Sequence, residues 1–130
     1  MQGKPVRKVQ PRESQEVIAT TGKVELICVR PNGERVPVTV AVGHPYPTIE
    51  GDWACPAEIA GLHGRLTDVH GIDSLQVLCL AIKLVGSLLA SFVSEGGRIC
   101  DAKTGKDVEL DTYFKAGRPA GIGRARLTSA

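Results

Sequence analysis

The sequence predicts an α+β domain, an antiparallel sheet of about four strands with one long buried helix packed on one face. Three observations carry this. Two runs rich in β-branched residues flank Pro31-Asn32-Gly33-Glu34. An alternating run follows at residues 53–62. Then Gly71-Ile72-Asp73-Ser74-Leu75-Gln76 opens into seventeen nearly uniform apolar residues, Val77 to Val93.

Asn32-Gly33 between Val24–Arg30 and Arg35–Val42 is a strong hairpin signal, because both central residues of the tightest hairpin turn need positive φ. A two-residue turn sets Val29 opposite Val36, Ile27 opposite Val38, Cys28 opposite Pro37 and Arg30 opposite Arg35. Val29, Ile27, Val36, Val38 and Val40 then form the core face. Pro37 has no donor, so its nitrogen belongs towards an edge or a bulge. His44-Pro45-Tyr46-Pro47 is a stiff loop, and Glu50-Gly51-Asp52 is a turn. Trp53 to Leu62 reads as a third strand with Trp53, Cys55, Ala57 and Ile59 on one face. Arg65 to His70 reads as a short fourth.

Asp73 is a good helix N-cap, and Gln76 three residues later completes a capping box. Gly71 supplies the sharp approach. Leu75, Leu78, Ile82, Val85, Leu89 and Phe92 form one stripe; Val77, Leu80, Ala81, Leu84 and Leu88 form a second, read as nearly opposite. A helix apolar almost all round is expected to be buried on more than one side. The second stripe then needs its own cover, either the C-terminal segment or a second copy of the chain, so a homodimer is expected. Leu75 to Val93 is just long enough to span a bilayer. Lys83 at its centre would cost on the order of 3 kcal/mol there, so no membrane span is expected. Gly96-Gly97 closes the helix. Arg98–Cys100 and Val108–Leu110 around Lys103–Lys106 read as a terminal hairpin.

Length and composition fit one domain, 16–114, between basic tails at 1–15 and 115–130 that are expected to be disordered. Net charge is +2. Lys4, Arg7, Lys8 and Arg12 lie at one end and Lys115, Arg118, Arg124 and Arg126 at the other, leaving 8 basic and 14 acidic side chains for residues 13–114. The acidic body favours a basic protein partner over nucleic acid, although the tails keep a tail-driven nucleic-acid binder as an alternative. Cys28, Cys55, Cys79 and Cys100 form no C-x-x-C pair and sit among apolar residues, as buried free thiols do. With no apolar leader in Met1–Gln15, the expected location is the cytoplasm.

No catalytic signature is present, and no cofactor is expected. His44, His63 and His70 with Cys55, Asp52 and Asp68 lack metal-ligand spacing, so no metal is expected. Gly71-x-Asp73-Ser74-Leu75 resembles the attachment motif of acyl and peptidyl carrier proteins, which implies phosphopantetheine on Ser74. Carrier domains are all-helical, however, whereas strands precede the motif here, so a structural cap is the expected role. A wider resemblance covers roughly residues 20–114. Trp53-x-Cys55-x-x-x-Ile59-x-Gly61, then Gly71-x-Asp73-Ser74-Leu75-Gln76, is similar to small bacterial proteins with an uncharacterised domain. That resemblance implies the α+β fold and no mechanism. Asn32, Gly33, Trp53, Cys55, Gly71, Asp73, Ser74 and Gln76 are therefore read as structural motif residues, in a non-enzymatic binding module of adaptor or immunity type.

Overall fold

A computed structural model describes residues 19–114; both expected tails lie outside them. Eight strands and two helices occur among the described residues. They are β1 (Thr20–Val29), β2 (Arg35–Gly43), β3 (Tyr46–Pro47), β4 (Trp53–Cys55), β5 (Ala57–Ala60), β6 (Gly64–Arg65), β7 (Val69–Gly71), α1 (Ser74–Ser94), β8 (Arg98–Asp101) and α2 (Leu110–Phe114). The fold is α+β with antiparallel pairing and one long helix, but it has more sheet than the sequence indicated. A five-stranded sheet runs β6-β5-β2-β1-β8, and a three-stranded sheet runs β3-β4-β7.

The β1–β2 hairpin forms with a register one residue from that expected: Val29 lies opposite Arg35, Cys28 opposite Val36, and Leu26 opposite Val38. Pro31 is the cause. A two-residue turn needs residues 31 and 34 to exchange both main-chain bonds, and proline has no N–H to give. Arg30 closes the turn instead, donating to the Glu34 carbonyl at 2.8 Å and accepting from Gly33 N–H at 2.8 Å. Gly33 takes φ +94°, the left-handed position of a three-residue loop. Arg30 thus meets Glu34 at 3.0 Å rather than Arg35. Because side chains alternate with period two, the slip turns β1 over. Leu26 and Cys28 are buried in the core, while Ile27 is only half-buried. On β2 the expected residues Val38 and Val40 do face the core. Pro37 lies beyond the four rows in which β2 pairs with β5, where no donor is required.

The expected third strand is two strands. Pro56 divides it, placing β4 in the smaller sheet and β5 in the larger. All residues from Ala54 to Ile59 are buried, so the run has no wet face. The expected fourth strand likewise divides into β6 and β7. The terminal hairpin is reduced to β8, a single bridge between Cys100 and Asp107, and the bond from Val108 N–H to Ile99 O at 2.8 Å. From Leu110 the chain turns helical instead.

The long helix forms within the expected limits, with Asp73 as its N-cap. Its last turn closes as the glycines require: Gly97 N–H reaches Phe92 O and Gly96 N–H reaches Val93 O, each at 3.0 Å. Its burial differs from expectation. The two stripes are neighbours on the helix surface, and where they adjoin, Val77, Ala81, Val85 and Leu89 form one buried arc. That arc packs against both sheets. Gln76, Lys83, Ser87, Ser91 and Ser94 are exposed with Leu75, Cys79, Leu80 and Ile82. Of the second stripe, Val77 and Ala81 are fully buried by this chain's own sheets, and Leu84 and Leu88 are half-buried. Leu80 of that stripe stays exposed, as do Leu75, Ile82 and Val93 elsewhere on α1. By length and hydropathy alone, α1 is also one helix that could cross a membrane. On the flank of α1, Phe114 from α2 packs close to Gly86, where a Cβ would lie 2.8 Å from the ring.

Candidate functional site at the start of the long helix

Six of the eight motif residues, Trp53, Cys55, Gly71, Asp73, Ser74 and Gln76, lie where β4, β7 and the first turn of α1 meet. Trp53 lies opposite Gly71, and Cys55 opposite Val69. Asp73 Oδ1 accepts from Gln76 N–H at 2.8 Å, so the cap forms. The reciprocal bond departs from the expected box. Gln76 Oε1 accepts from Ile72 N–H at 2.7 Å, one residue before the cap, and so ties the helix to the end of β7. A Cβ on Gly71 would lie 2.3 Å from Gln76 Oε1 and 3.0 Å from Val77 Cγ1. A side chain at this position would push the Gln76 amide away from Ile72 N–H. Ser74 is exposed at the first helical position.

The other motif positions are structural as well. Ile59 is fully buried. Gly61 has φ +105°, and a Cβ there would lie 2.4 Å from the Pro37 carbonyl oxygen. The buried Cys55 thiol lies 3.5 Å from Gly43 O, and burial raises its pKa. Asn32 Oδ1 accepts from Glu34 N–H at 2.9 Å in the distant hairpin turn, so Asn32 and Gly33 are no part of this corner.

The outer side of the three-stranded sheet is polar. Tyr46, Ala54 and His70 share one cross-strand row. Tyr46 donates its hydroxyl to Asp68, which also accepts from Arg65 Nη2 at 3.0 Å. The Tyr46 pKa is raised, chiefly because that bond uses its proton. Thr48 donates to Asp52, and His70 Nδ1 lies 3.0 Å from the other Asp52 oxygen. The Thr48 bond first and the His70 contact second hold the Asp52 carboxyl below its usual range. Among the described residues no group of three or more His, Cys, Asp or Glu is placed to hold a metal ion. His44 meets Thr21 at 3.0 Å, away from His70.

Next to this row lie apolar side chains facing water. Pro47, Trp53 and Gly71 are aligned, so Thr48, Asp52 and Ile72 come next at the sheet end. Ile49 is fully exposed, Ile72 is 77% exposed and Leu75 is 68% exposed. The carboxylates that adjoin these positions in sequence or strand register are Glu50, Asp52 and Asp73. Sequence reading missed this patch. Its only sequence signal was the pair of isoleucines in turn-like segments, Ile49 and Ile72, where solvated residues are normal.

Three of the four cysteines are buried as expected: Cys28, Cys55 and Cys100. Cys79 is exposed, because it lies on the wet side of α1. All four are free thiols.

The chain matches a protein family, Domain of unknown function (DUF6968), over residues 26–110. It belongs to that family. The matched span runs from the core of β1 to the start of α2 and contains every motif residue described above. No curated protein and no solved structure matches the chain.

Proposed function

We propose that this DUF6968 domain is a non-enzymatic protein-binding module, of adaptor or immunity type, and that it binds through the corner at the start of α1. One observation carries the reading. Ile49, Ile72 and Leu75 are solvent-exposed large apolar residues, and Glu50, Asp52 and Asp73 adjoin them in sequence or strand register. Apolar side chains gathered on a surface and rimmed by charge mark an interaction site rather than scattered exposure. The acidic rim favours a partner segment that is basic and apolar, since opposite charge speeds encounter and excludes wrong partners. In this reading the Thr48–Asp52–His70 chain of contacts shapes the patch.

The test is site-directed photo-crosslinking in the full chain, with the crosslinker at Ile49 and, as control, at Lys106. The expected result is one dominant protein adduct from Ile49 alone. Affinity for that partner should fall about tenfold in Ile72→Asp or Asp52→Lys. Equal adducts from both positions, or none, would remove the proposal. Intact mass of the same purified chain reads the other class: a covalent phosphopantetheine on Ser74 would make it a carrier.

A further inference from the structure

A second surface is open for a different reason. β2 accompanies β1 from Thr20 to Val29, but β8 pairs only with Leu26–Val29. The outer edge of residues 20–25 therefore has no strand partner among the described residues. Main-chain direction alternates along a strand. Glu25 O accepts from Ala102 N–H at 3.3 Å on the β8 side, so the N–H and C=O of Lys23 also point outward. Residues 20–23 are exposed. Two cavities adjoin this edge and share Lys23 and Val24. One is a notch of about 350 Å³ bounded by Glu25, Asp101 and Lys103. The other is an apolar cleft of about 230 Å³ between sheet and helix, walled by Val24, Val40, Leu78, Ile82 and Phe114.

We propose that the β1 edge and the cleft form one docking site for an extended segment of another protein, which adds as a short strand and places one large apolar side chain in the cleft. Outward main-chain groups select an extended backbone, and the cleft selects the side chain; this is strand addition. A second copy of the chain fits poorly. Its own edge offers Thr21, Gly22 and Lys23, and its Val24 already lines its own cleft. The irregularity between Thr20 and Gly22 and the exposed Lys23 guard the outermost rows, so the added strand is short. This site is independent of the corner at the helix start.

The test is selection of random peptides of roughly a dozen residues displayed against the full chain. Enriched sequences should carry a large apolar residue in an alternating, extended pattern. Their affinity should fall about tenfold in Lys23→Pro, which removes an outward N–H and leaves the β2 pairing intact. Ile82→Asp, at an exposed cleft wall, should weaken binding similarly and serves if Lys23→Pro lowers the melting temperature. Bound peptide should slow amide exchange at Lys23, and Ile72→Asp should leave peptide affinity unchanged. The proposal is overturned by no enrichment, or by peptides that bind both variants as well as the parent. A parent dimer that Lys23→Pro makes monomeric would assign the edge to a second copy. Slow Lys23 exchange in the peptide-free monomer would assign it to the chain's own ends; either result overturns it.

Discussion

The two sheets of this domain share a helix but do different physical work. The five-stranded sheet gives α1 a dry aliphatic surface, with Leu26, Cys28, Val38, Val40 and Ile59 all buried. The three-stranded sheet has strands of two or three residues and turns a row of hydrogen-bonded polar side chains to water. One region holds the chain together, and the other presents chemistry. Isolated short strands are marginal, so the small sheet persists only because Trp53, Cys55 and Val69 on its inner side join the core of the large one.

This difference can be broken by substitution. Truncating the shared core should have the largest effect. Ile59→Ala or Leu89→Ala is expected to lose about 2–5 kcal/mol in urea unfolding, from lost burial plus the cavity left behind. Ile49→Asp in the polar region should stay within about 0.5 kcal/mol. Comparable losses at both places would mean that the corner is as structural as the core.

The larger sheet should also show its dryness through pH. Burial, then the neighbouring Cys100, push the Cys28 thiol up to about 11. A raised folded-state pKa gives stability that is complete below the unfolded value of 9.0 and is lost as pH rises through about 11. Between those limits the chain should lose roughly 2–3 kcal/mol, and Cys28→Ala should flatten that slope. A slope unchanged in Cys28→Ala would place the titration elsewhere.

Two substitutions sharpen the boundary between the regions. Gly61→Ala meets the Pro37 carbonyl at 2.4 Å with φ +105°, and about 1–3 kcal/mol should be lost. Asp73→Ala removes the cap and should cost about 1 kcal/mol, with circular dichroism showing fraying confined to the first turn of α1. The smallest effect belongs to the polar row. The Asp52 carboxyl, followed by NMR, should titrate below its usual range. Thr48→Val should raise that value more than His70→Ala does, because the Thr48 bond is the larger cause. The reverse order would show that charge on His70 controls the site.

Local features were legible in the sequence. The Asp73 cap, the Gly96-Gly97 stop and the existence of the β1–β2 hairpin each depend on residues within one turn of one another. The hairpin register was also written locally, in Pro31's missing N–H, yet the Asn-Gly signal next to it points to a tighter turn. The helix burial was misread because two stripes on a greasy helix resemble two faces. The helical turn of about 3.6 residues already places them side by side, and burial falls where they adjoin.

What the sequence determined by itself was the type of the β1–β2 hairpin and the long helix, that helix's limits and several positions that glycine or a capping acid fills. Tertiary structure alone decided the rest. Pro56 sends adjoining strands into different sheets, and this brings Asp52 to His70 across 18 residues and Tyr46 to Asp68 across 22. It also leaves Ile49, Ile72 and Leu75 in water and, among the described residues, the first half of β1 without a second strand neighbour. The reason is physical: caps and turns are settled by short-range sterics and hydrogen bonds. Which apolar residue stays wet depends on which distant strand arrives to cover it.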